Sequence, residues 1–283
     1  MQYVLYNPLA NNKMGLATAK AYLEGKIEGD VEYKDVTKID DINTFICGLA
    51  DSDRVILAGG DGTLNRFINA FHTTPSCAID YIAVGSGNDF KNDIKARGEL
   101  EGDFIRLNRY MENLPTVTVN GKTYKFINGI GYGIDGYCCE KGDEIRATSD
   151  KPVNYTSIAI KGLLFHFKPR NATVTVDGKT TSFKKVWLAP TMKGMFYGGG
   201  MMVAPEQDRL ADDKKVSVVV WHGTGKLGTL MRFPTVFKGT HVKYTKLISI
   251  VKGSEVKISF DRPTALQIDG ETVLNVTEYT VKI

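Results

Sequence analysis

Cysteine is scarce in this chain and carries no pattern. Cys47, Cys77, Cys138 and Cys139 form neither a CxxC nor a Cys/His ligand spacing, which excludes a zinc ribbon, and neighbours 138 and 139 cannot close an ordinary disulfide on each other. Packed, reduced thiols are expected. No apolar run approaches the ~18 residues needed to span a bilayer; the most apolar patch, Tyr155 to Phe167, is broken by Lys161 and His166. The start MQYVLYNP lacks a basic region and a small-residue cleavage site and reads as a first strand, so no export signal is expected and the cytosol is the default location. Excess charge is absent too: a net +4 does not argue for nucleic acid, though it would not oppose approach to an anionic membrane face. Internal repeats and low-complexity linkers are also missing. At 283 residues the chain can bury the cores of two ordinary domains.

Glycine, in contrast, is placed with purpose. In RVILAGGDGTLNRFINAF, Arg54 to Phe71, a buried-strand run (Val55 to Ala58) meets Gly59 and Gly60; Asp61, Gly62, Thr63 and Leu64 then open a helix carrying Phe67, Ile68 and Phe71. The first amides of a helix lack internal partners and sit at the positive end of its dipole, so an anion can settle there. Three glycines in four residues let backbone approach a phosphate with no side chain between. Thr63 adds a hydroxyl, and Asp61 a carboxylate able to hold Mg²⁺ or orient an attacking group. The segment is neither GxGxxG nor a GxxxxGK[ST] P-loop. A tight turn with Asp or Thr as helix cap reads equally well from this stretch alone.

Alternation of strand and helix signals runs from Met1 to about Leu107: Tyr3 to Tyr6, Leu16 to Leu23, Val31 to Val36, Ile42 to Leu49, the strand and helix above, and Tyr81 to Val84. Units of this length predict a parallel sheet covered by helices on both faces, with ligands beyond the carboxyl ends of the strands. Three loops share that edge: NPLANNKMG (Asn7 to Gly15, with Lys13 as a point charge), GGDGTLNR, and GSGNDF (Gly85 to Phe90). Converging, they would cradle a phosphate.

Beyond about Leu114 short β-rich runs take over, punctuated by Asn120-Gly121 and Asp177-Gly178, both hairpin signals. Helical insertions are expected near Pro152 to Phe167 and Lys226 to Phe237. The fold class is therefore α/β plus β: an α/β domain over residues 1–114, three-layered with a parallel sheet, and a mostly antiparallel β-sandwich over 115–283.

GGDGTLNR resembles the GGDGT signature shared by diacylglycerol, sphingosine and NAD kinases and phosphofructokinases. GSGNDF, FINGIGYGIDG from Phe126, YGGGMMVAP from Tyr197 and QIDGE from Gln267 then resemble, in order, the motifs of the diacylglycerol kinase-like bacterial lipid kinases. The resemblance covers nearly the whole chain and implies that residues 1–114 form the nucleotide-binding domain and residues 115–283 the domain that takes the lipid substrate. It implies transfer of the γ-phosphoryl group of ATP to a lipid hydroxyl with Mg²⁺, diacylglycerol giving phosphatidic acid in the simplest case. It further implies a nucleotide site of Asn7, Lys13, Gly59, Gly60, Gly62, Thr63, Asn65, Ser86, Gly87, Asn88 and Asp89, with Asp61 acting on the metal and the reacting group and Glu271 as base. Taken singly these residues have ordinary readings: Asp269-Gly270 a hairpin turn, Asp89 a helix cap, Gly198 to Gly200 a bend.

Departures from the family pattern stand at two places. Arg66 occupies a position where the family carries Glu, and RLADDKKVSV keeps Asp213 as candidate ligand of a regulatory Mg²⁺ while Lys214 and Ser217 replace a glycine and a second acid. The alternative function is accordingly a nucleotide-binding protein of the same fold with little or no catalysis, or a kinase of another lipid alcohol such as a sphingoid base. Implied partners are ATP and a lipid alcohol, with a homodimer and peripheral contact at the inner membrane face as further options. Lys226 to Lys246 interleaves apolar and basic residues, which suits either a core-facing helix with a solvated basic face or an interfacial helix.

Overall fold

Short apolar runs become strands and the amphipathic segments between them become helices, as period and length dictate. The computed structural model describes residues 1–72, 75–149 and 153–283, the side chains of residues 11 and 12 apart. Its chain divides into two units, Met1–Leu114 and Pro115–Ile283. The first runs β1 (Gln2–Tyr6), α1 (Ala10–Lys13), α2 (Gly15–Leu23), β2 (Val31–Asp35), α3 (Ile42–Cys47), β3 (Arg54–Gly59), α4 (Asp61–Asn69), β4 (Ala78–Ala83), α5 (Asp89–Ala96), β5 (Ile105–Arg106) and α6 (Asn108–Met111). Sheet order is β2-β1-β3-β4-β5. Pairing is parallel from β2 through β4, as expected, and a two-residue edge strand that the sequence alone does not reveal, β5, adds antiparallel to β4.

Every residue of β3 after Arg54 is buried, which follows from covering both faces. Val4, Ile56, Ala58 and Ile82 face Ala19 and Leu23 of α2. Leu64, Phe67 and Ile68 bury the inner stripe of α4. Asp80 ties the sheet edge: its buried carboxylate accepts from Arg54 Nε at 2.6 Å and Arg106 Nε at 2.7 Å, while the Arg54 guanidinium lies 4.4 Å over the Phe104 ring.

The second unit contains β6 (Thr116–Val119), β7 (Lys122–Lys125), β8 (Gly129–Tyr132), α7 (Ile134–Thr148), α8 (Tyr155–Lys161), a π-helical turn Gly162–His166, β9 (Arg170–Val176), β10 (Lys179–Val186), β11 (Thr191–Met192), β12 (Phe196–Tyr197) and β13 (Met201–Met202). It continues with β14 (Val216–Trp221), α9 (Lys226–Arg232), 3-10 turns Phe233–Lys238 and Thr240–Lys243, β15 (Ile248–Gly253), β16 (Glu255–Ile268) and β17 (Glu271–Lys282). Strands are ordered β15-β14-β11-β8-β16-β17-β6-β7, β9 joining β16 and β10 joining β9. This is a mostly antiparallel β-sandwich fold, with an aliphatic core that includes Val174, Val218, Ile258, Leu266 and Val281. A second cluster packs α7, α8 and the π-helical turn onto Trp187 and Trp221.

Three hairpins close through two-residue turns in which both residues have positive φ: Asn120-Gly121, Asp177-Gly178 and Asp269-Gly270. Such turns match the twist of paired strands, and Asn-Gly or Asp-Gly enters them at least cost. The runs Glu255 to Phe260 and Leu266 to Ile268 prove to be one bulged strand, with Pro263 falling in the register shift between Ser259 and Thr264.

Helix α7 is the largest element that the sequence pattern did not foresee, and its Gly136 and Gly142 are contact points. A Cβ on Gly136 would stand 1.9 Å from the Ala265 carbonyl oxygen of β16, and one on Gly142 would stand 2.7 Å from the Tyr155 hydroxyl. The helical insertion expected from Pro152 is seen from Tyr155, Pro152 itself lying outside the described residues. Among the described residues no helix is long and apolar enough to cross a membrane.

Replacing Asp80 with Ala leaves two arginines without their shared acceptor. Because both are partly exposed, the expected loss is about 2–3 kcal/mol rather than that of a fully buried pair. A urea midpoint unchanged from wild type would show that the pair is idle.

Candidate functional site

The strand-end loops of the first unit are tied together. Asn7 follows β1; its Oδ1 accepts from the Leu9 amide at 3.0 Å and its Nδ2 donates to Thr63 Oγ1 at 3.3 Å. Gly15 lets the same loop fold tightly, since a Cβ there would stand 1.9 Å from the Asn7 carbonyl oxygen. The loops after β3 and β4 meet glycine to glycine: a Cβ on Gly85 would lie 2.6 Å from Gly60 Cα, and one on Gly60 3.3 Å from Gly85 Cα. Gly60 has φ −96°, ordinary extended backbone, so closeness rather than an unusual dihedral requires its glycine. Thr63 packs back over Gly59, whose Cβ would come within 2.5 Å of it.

Asp61 has a different local role from the one its position suggests. Its Oδ2 accepts from the Asp89 amide and its Oδ1 from the Phe90 amide, each at 3.0 Å, so it caps α5 from the first turn of α4. Helix α4 itself starts at Gly60 with no side-chain cap. Its first amides thus remain the place for an anion. Asn88 stands left-handed at φ 54°, donates to the Gly85 carbonyl at 2.8 Å, and has no partner for its buried Oδ1 among the described residues. Burial and the nearby charges of Asp61 and Asp89 push the Tyr81 hydroxyl well above its usual range, and it donates to the Gly59 carbonyl at 3.0 Å.

Of the residues expected at the nucleotide, the structure brings Asn7, Gly59, Gly60, Asp61, Thr63, Asn88 and Asp89 together through these contacts. Ser86 is exposed and Gly87 half-buried in the same loop. Lys13 is exposed at φ 69° at the end of α1. Asn65 is turned inward on α4, buried, its carbonyl oxygen accepting from Asn69 Nδ2 at 2.9 Å.

In the second unit Asp269 holds the motif segments. Its Oδ2 accepts from the Ile127 amide at 2.7 Å, and its Oδ1 from the amides of Asn128 and Gly129 at 2.9 Å each. Glu271, half-buried, follows as the first residue of β17, opposite Ile268. Buried Arg209 donates to the Ile127 carbonyl at 2.9 Å and to Asn128 Oδ1 at 3.3 Å. Lys193 is buried as well, and burial with the Arg209 charge lowers its ammonium to about 8. Gly198, Gly199 and Gly200, all at positive φ, make the turn between β12 and β13 and set Tyr197 in place.

Asp135, at the start of α7, was missed by sequence reasoning, as were Tyr197, Arg209 and Lys193. Asp135 Oδ2 accepts from the Tyr197 hydroxyl at 2.6 Å, while its buried Oδ1 has no partner among the described residues. Burial raises this carboxyl from 3.8 to about 6 against that hydrogen bond. Its signal lay inside GYGIDG, where an acid follows glycines that leave room for it: a Cβ on Gly131 would stand 2.1 Å from Asp135 Oδ2.

Among the described residues no three His, Cys, Asp or Glu side chains form a metal-ligating group. Asp213 is half-exposed and pairs with Lys215 at 3.5 Å, beside Lys214, a setting that does not fit a divalent cation. Mg²⁺ is usually held on one or two carboxylates plus phosphate oxygens, and the acids on this loop edge are Asp61 and Asp89.

A glycine-lined cradle at the carboxyl edge of a parallel sheet, joined to an antiparallel β unit, defines the NAD-kinase-like superfamily. The diacylglycerol kinase catalytic domain matches residues 2–117, and the YegS C-terminal NAD kinase beta sandwich-like domain matches residues 128–281. The chain belongs to the YegS and diacylglycerol kinase-like lipid kinase family. A Bacillus subtilis diacylglycerol kinase is 25% identical over 234 residues, 79% of this chain and 72% of that one. One from Mycobacterium tuberculosis is 24% identical over 203 residues, 68% of this chain and 62% of its own length, so less than two thirds of that relative is spanned. A diacylglycerol kinase crystal structure from Bacillus anthracis superposes with a TM-score of 0.59 at 17% identity, covering 99% of this chain and 92% of that one, a likeness of fold.

The raised Asp135 carboxyl has a direct consequence for stability. The folded state holds this proton more tightly than the unfolded chain, so the contribution is fully present below pH 3.8 and lost as pH rises through about 6. The span corresponds to about 3 kcal/mol. Asp135→Asn is expected to remove this slope, gaining on wild type at pH 7.5 relative to pH 4.5 in urea titrations. Parallel pH profiles for the two proteins would refute the assignment.

Proposed function

We propose that this chain transfers the γ-phosphoryl group of ATP to the hydroxyl of a lipid alcohol, diacylglycerol being the simplest acceptor and phosphatidic acid the product. The observation that carries the reading is the cradle: three strand-end loops tied by Asn7 to Thr63, Gly60 to Gly85 and Asp61 to α5, around a helix start left without a side-chain cap. The names of the relatives above support the acceptor class. ATP and its Mg²⁺ supply the phosphoryl group and neutralise its charge when bound.

The chain's own part is positioning. Backbone amides at the start of α4 hold phosphate oxygens, and the glycines keep side chains from intervening. Asp61, clamped on α5, keeps the Gly85 to Phe90 loop in register, and its carboxylate with that of Asp89 would hold the metal. Glu271 takes the proton of the attacking hydroxyl as its oxygen bonds to phosphorus and the bond to the leaving ADP breaks. Asp269 orients the Glu271 hairpin through its three amides.

A panel of lipid alcohols with labelled ATP and Mg²⁺ tests the reaction: label entering diacylglycerol is expected, label entering only a sphingoid base would change the acceptor, and ATP binding without any lipid product would leave a nucleotide-binding protein. Gly60→Val drives its side chain at Gly85 and should weaken ATP binding at least about tenfold, at a stability cost of about 1–3 kcal/mol. Unchanged calorimetric affinity in the folded variant would sink the cradle. Glu271→Gln should retain ATP binding and lose kcat by roughly 10²- to 10⁴-fold, about 3–5 kcal/mol. Asp269→Asn turns an N–H donor toward one of its amides and should act chiefly on stability. A large kcat loss in Asp269→Asn alongside a wild-type rate in Glu271→Gln would reverse these roles.

A further inference from the structure

Helix α9 divides its apolar residues between two faces. Leu230 packs inward, continued by Phe233 and Val236 of the following turn, onto the cluster around Trp187 and Trp221. Leu227 and Met231, one turn apart on the opposite side, are 67% and 71% exposed, and Phe237 beyond them is 47% exposed. Core packing therefore accounts for only half of this segment's hydrophobicity. Next to it the π-helical turn presents Phe165, 71% exposed. The two insertions are fastened together, Lys226 Nζ of α9 donating to the Leu164 carbonyl at 2.8 Å. Four large apolar side chains thus stand in water on adjoining helical elements, a cost that monomeric surfaces ordinarily avoid when such residues lie close together.

The insertions that carry them hold charge of a single sign. The chain holds 32 Asp and Glu, yet none occurs from Val153 to Val176 or from Lys214 to Ser254. Within those stretches Lys161, His166, Lys168, Lys226 and Lys238 are exposed on or beside the two insertions. On neighbouring α7, Glu144 pairs with Lys141 and Asp143 with Arg146. Beside the same elements lies a cavity of about 290 Å³ lined by Tyr137, Ile145, Val153 and Ile158 with Lys161 and His166. Exposed apolar side chains on insertions that carry cations and no carboxylates complement a layer whose surface is anionic and whose interior is hydrocarbon.

From this arrangement we infer that Phe165, Leu227, Met231 and Phe237 insert into the headgroup region of an anionic bilayer, with the surrounding lysines on its phosphates. This surface deepens the lipid-alcohol reading above and rests on it for its purpose, because a membrane-dissolved acceptor is met at such a layer. Its test is independent of catalysis.

The full chain is sedimented with vesicles of phosphatidylglycerol and phosphatidylethanolamine, or of phosphatidylcholine alone. Strong partition to the first, weak partition to the second and loss in high salt are expected. Phe165→Ser, Leu227→Ser and Met231→Ser combined should reduce partition about tenfold or more while ATP affinity and circular dichroism stay as in wild type. Lys161→Gln with Lys238→Gln should lower the preference for anionic vesicles and spare the fold. Wild-type partition in the serine variant, or no partition of wild type to anionic vesicles, would overturn the inference. So would a wild-type dimer that the serine substitutions dissociate without changing vesicle binding, since a second copy would then cover the face. Phosphorylation of a short-chain, water-soluble diacylglycerol is measured in parallel without vesicles: failure there strikes the proposed reaction and leaves the partition result standing, while failure of partition strikes the surface alone.

Discussion

Carboxylates clamped by backbone amides hold the motif-bearing segments of this molecule in place. Asp61 takes the amides of Asp89 and Phe90, Asp269 those of Ile127, Asn128 and Gly129, and Asp177 those of Ser254 and Glu255. Each joins a turn to a segment distant in sequence. Hydrogen bonds to an ionised acceptor are stronger than neutral ones, and a buried amide without a partner is costly, so these links are directional as well as stabilising. For Asp177 the same donors hold the carboxyl below its usual range. Asp61 thus adds a side-chain anchor to the contact of Gly60 with Gly85, and Asp269 adds one to the pairing of β16 with β8.

Much of this was legible in the sequence where local chemistry leaves few choices. Two-residue Asn-Gly and Asp-Gly turns demand positive φ at both positions, so Asn120-Gly121 and Asp177-Gly178 announce hairpins before any long-range pairing is known. The alternation of strand and helix likewise gives a parallel sheet and the common edge of its three loops. Helix α7 was hidden because the glycine signal is ambiguous: absence of a side chain marks a turn in one context and a close backbone contact in another, and only the partner, here Ala265 or Tyr155, tells them apart. The antiparallel addition of β5 rests on Asp80 meeting Arg54 and Arg106, a link between strands that no local window contains.

Side-chain roles were less readable than positions. Asp61 was placed correctly at the strand-to-helix junction, but its geometry as cap of α5 depends on where the loop after β4 comes to lie. Asn65 belongs to the same motif and is turned inward by the helical period. Asp135 was invisible for the opposite reason: its character comes from burial and from Tyr197, more than sixty residues away, and spacing within GYGIDG carries neither. In α9 the sequence offered two assignments for one set of apolar residues, and the helix divides them, Leu230 inward and Leu227 and Met231 outward.

Gly136 has a mechanical meaning. With a Cβ there only 1.9 Å from the Ala265 carbonyl oxygen, α7 and β16 touch backbone to backbone. A joint made through side chains has slack, because a rotamer can change and absorb displacement; a joint between two backbones has none. Strand β16 leads directly into the hairpin that carries Glu271, and α7 leads toward α8 and the exposed apolar residues. Any side chain at position 136 would therefore have to part α7 from the strand that feeds this hairpin.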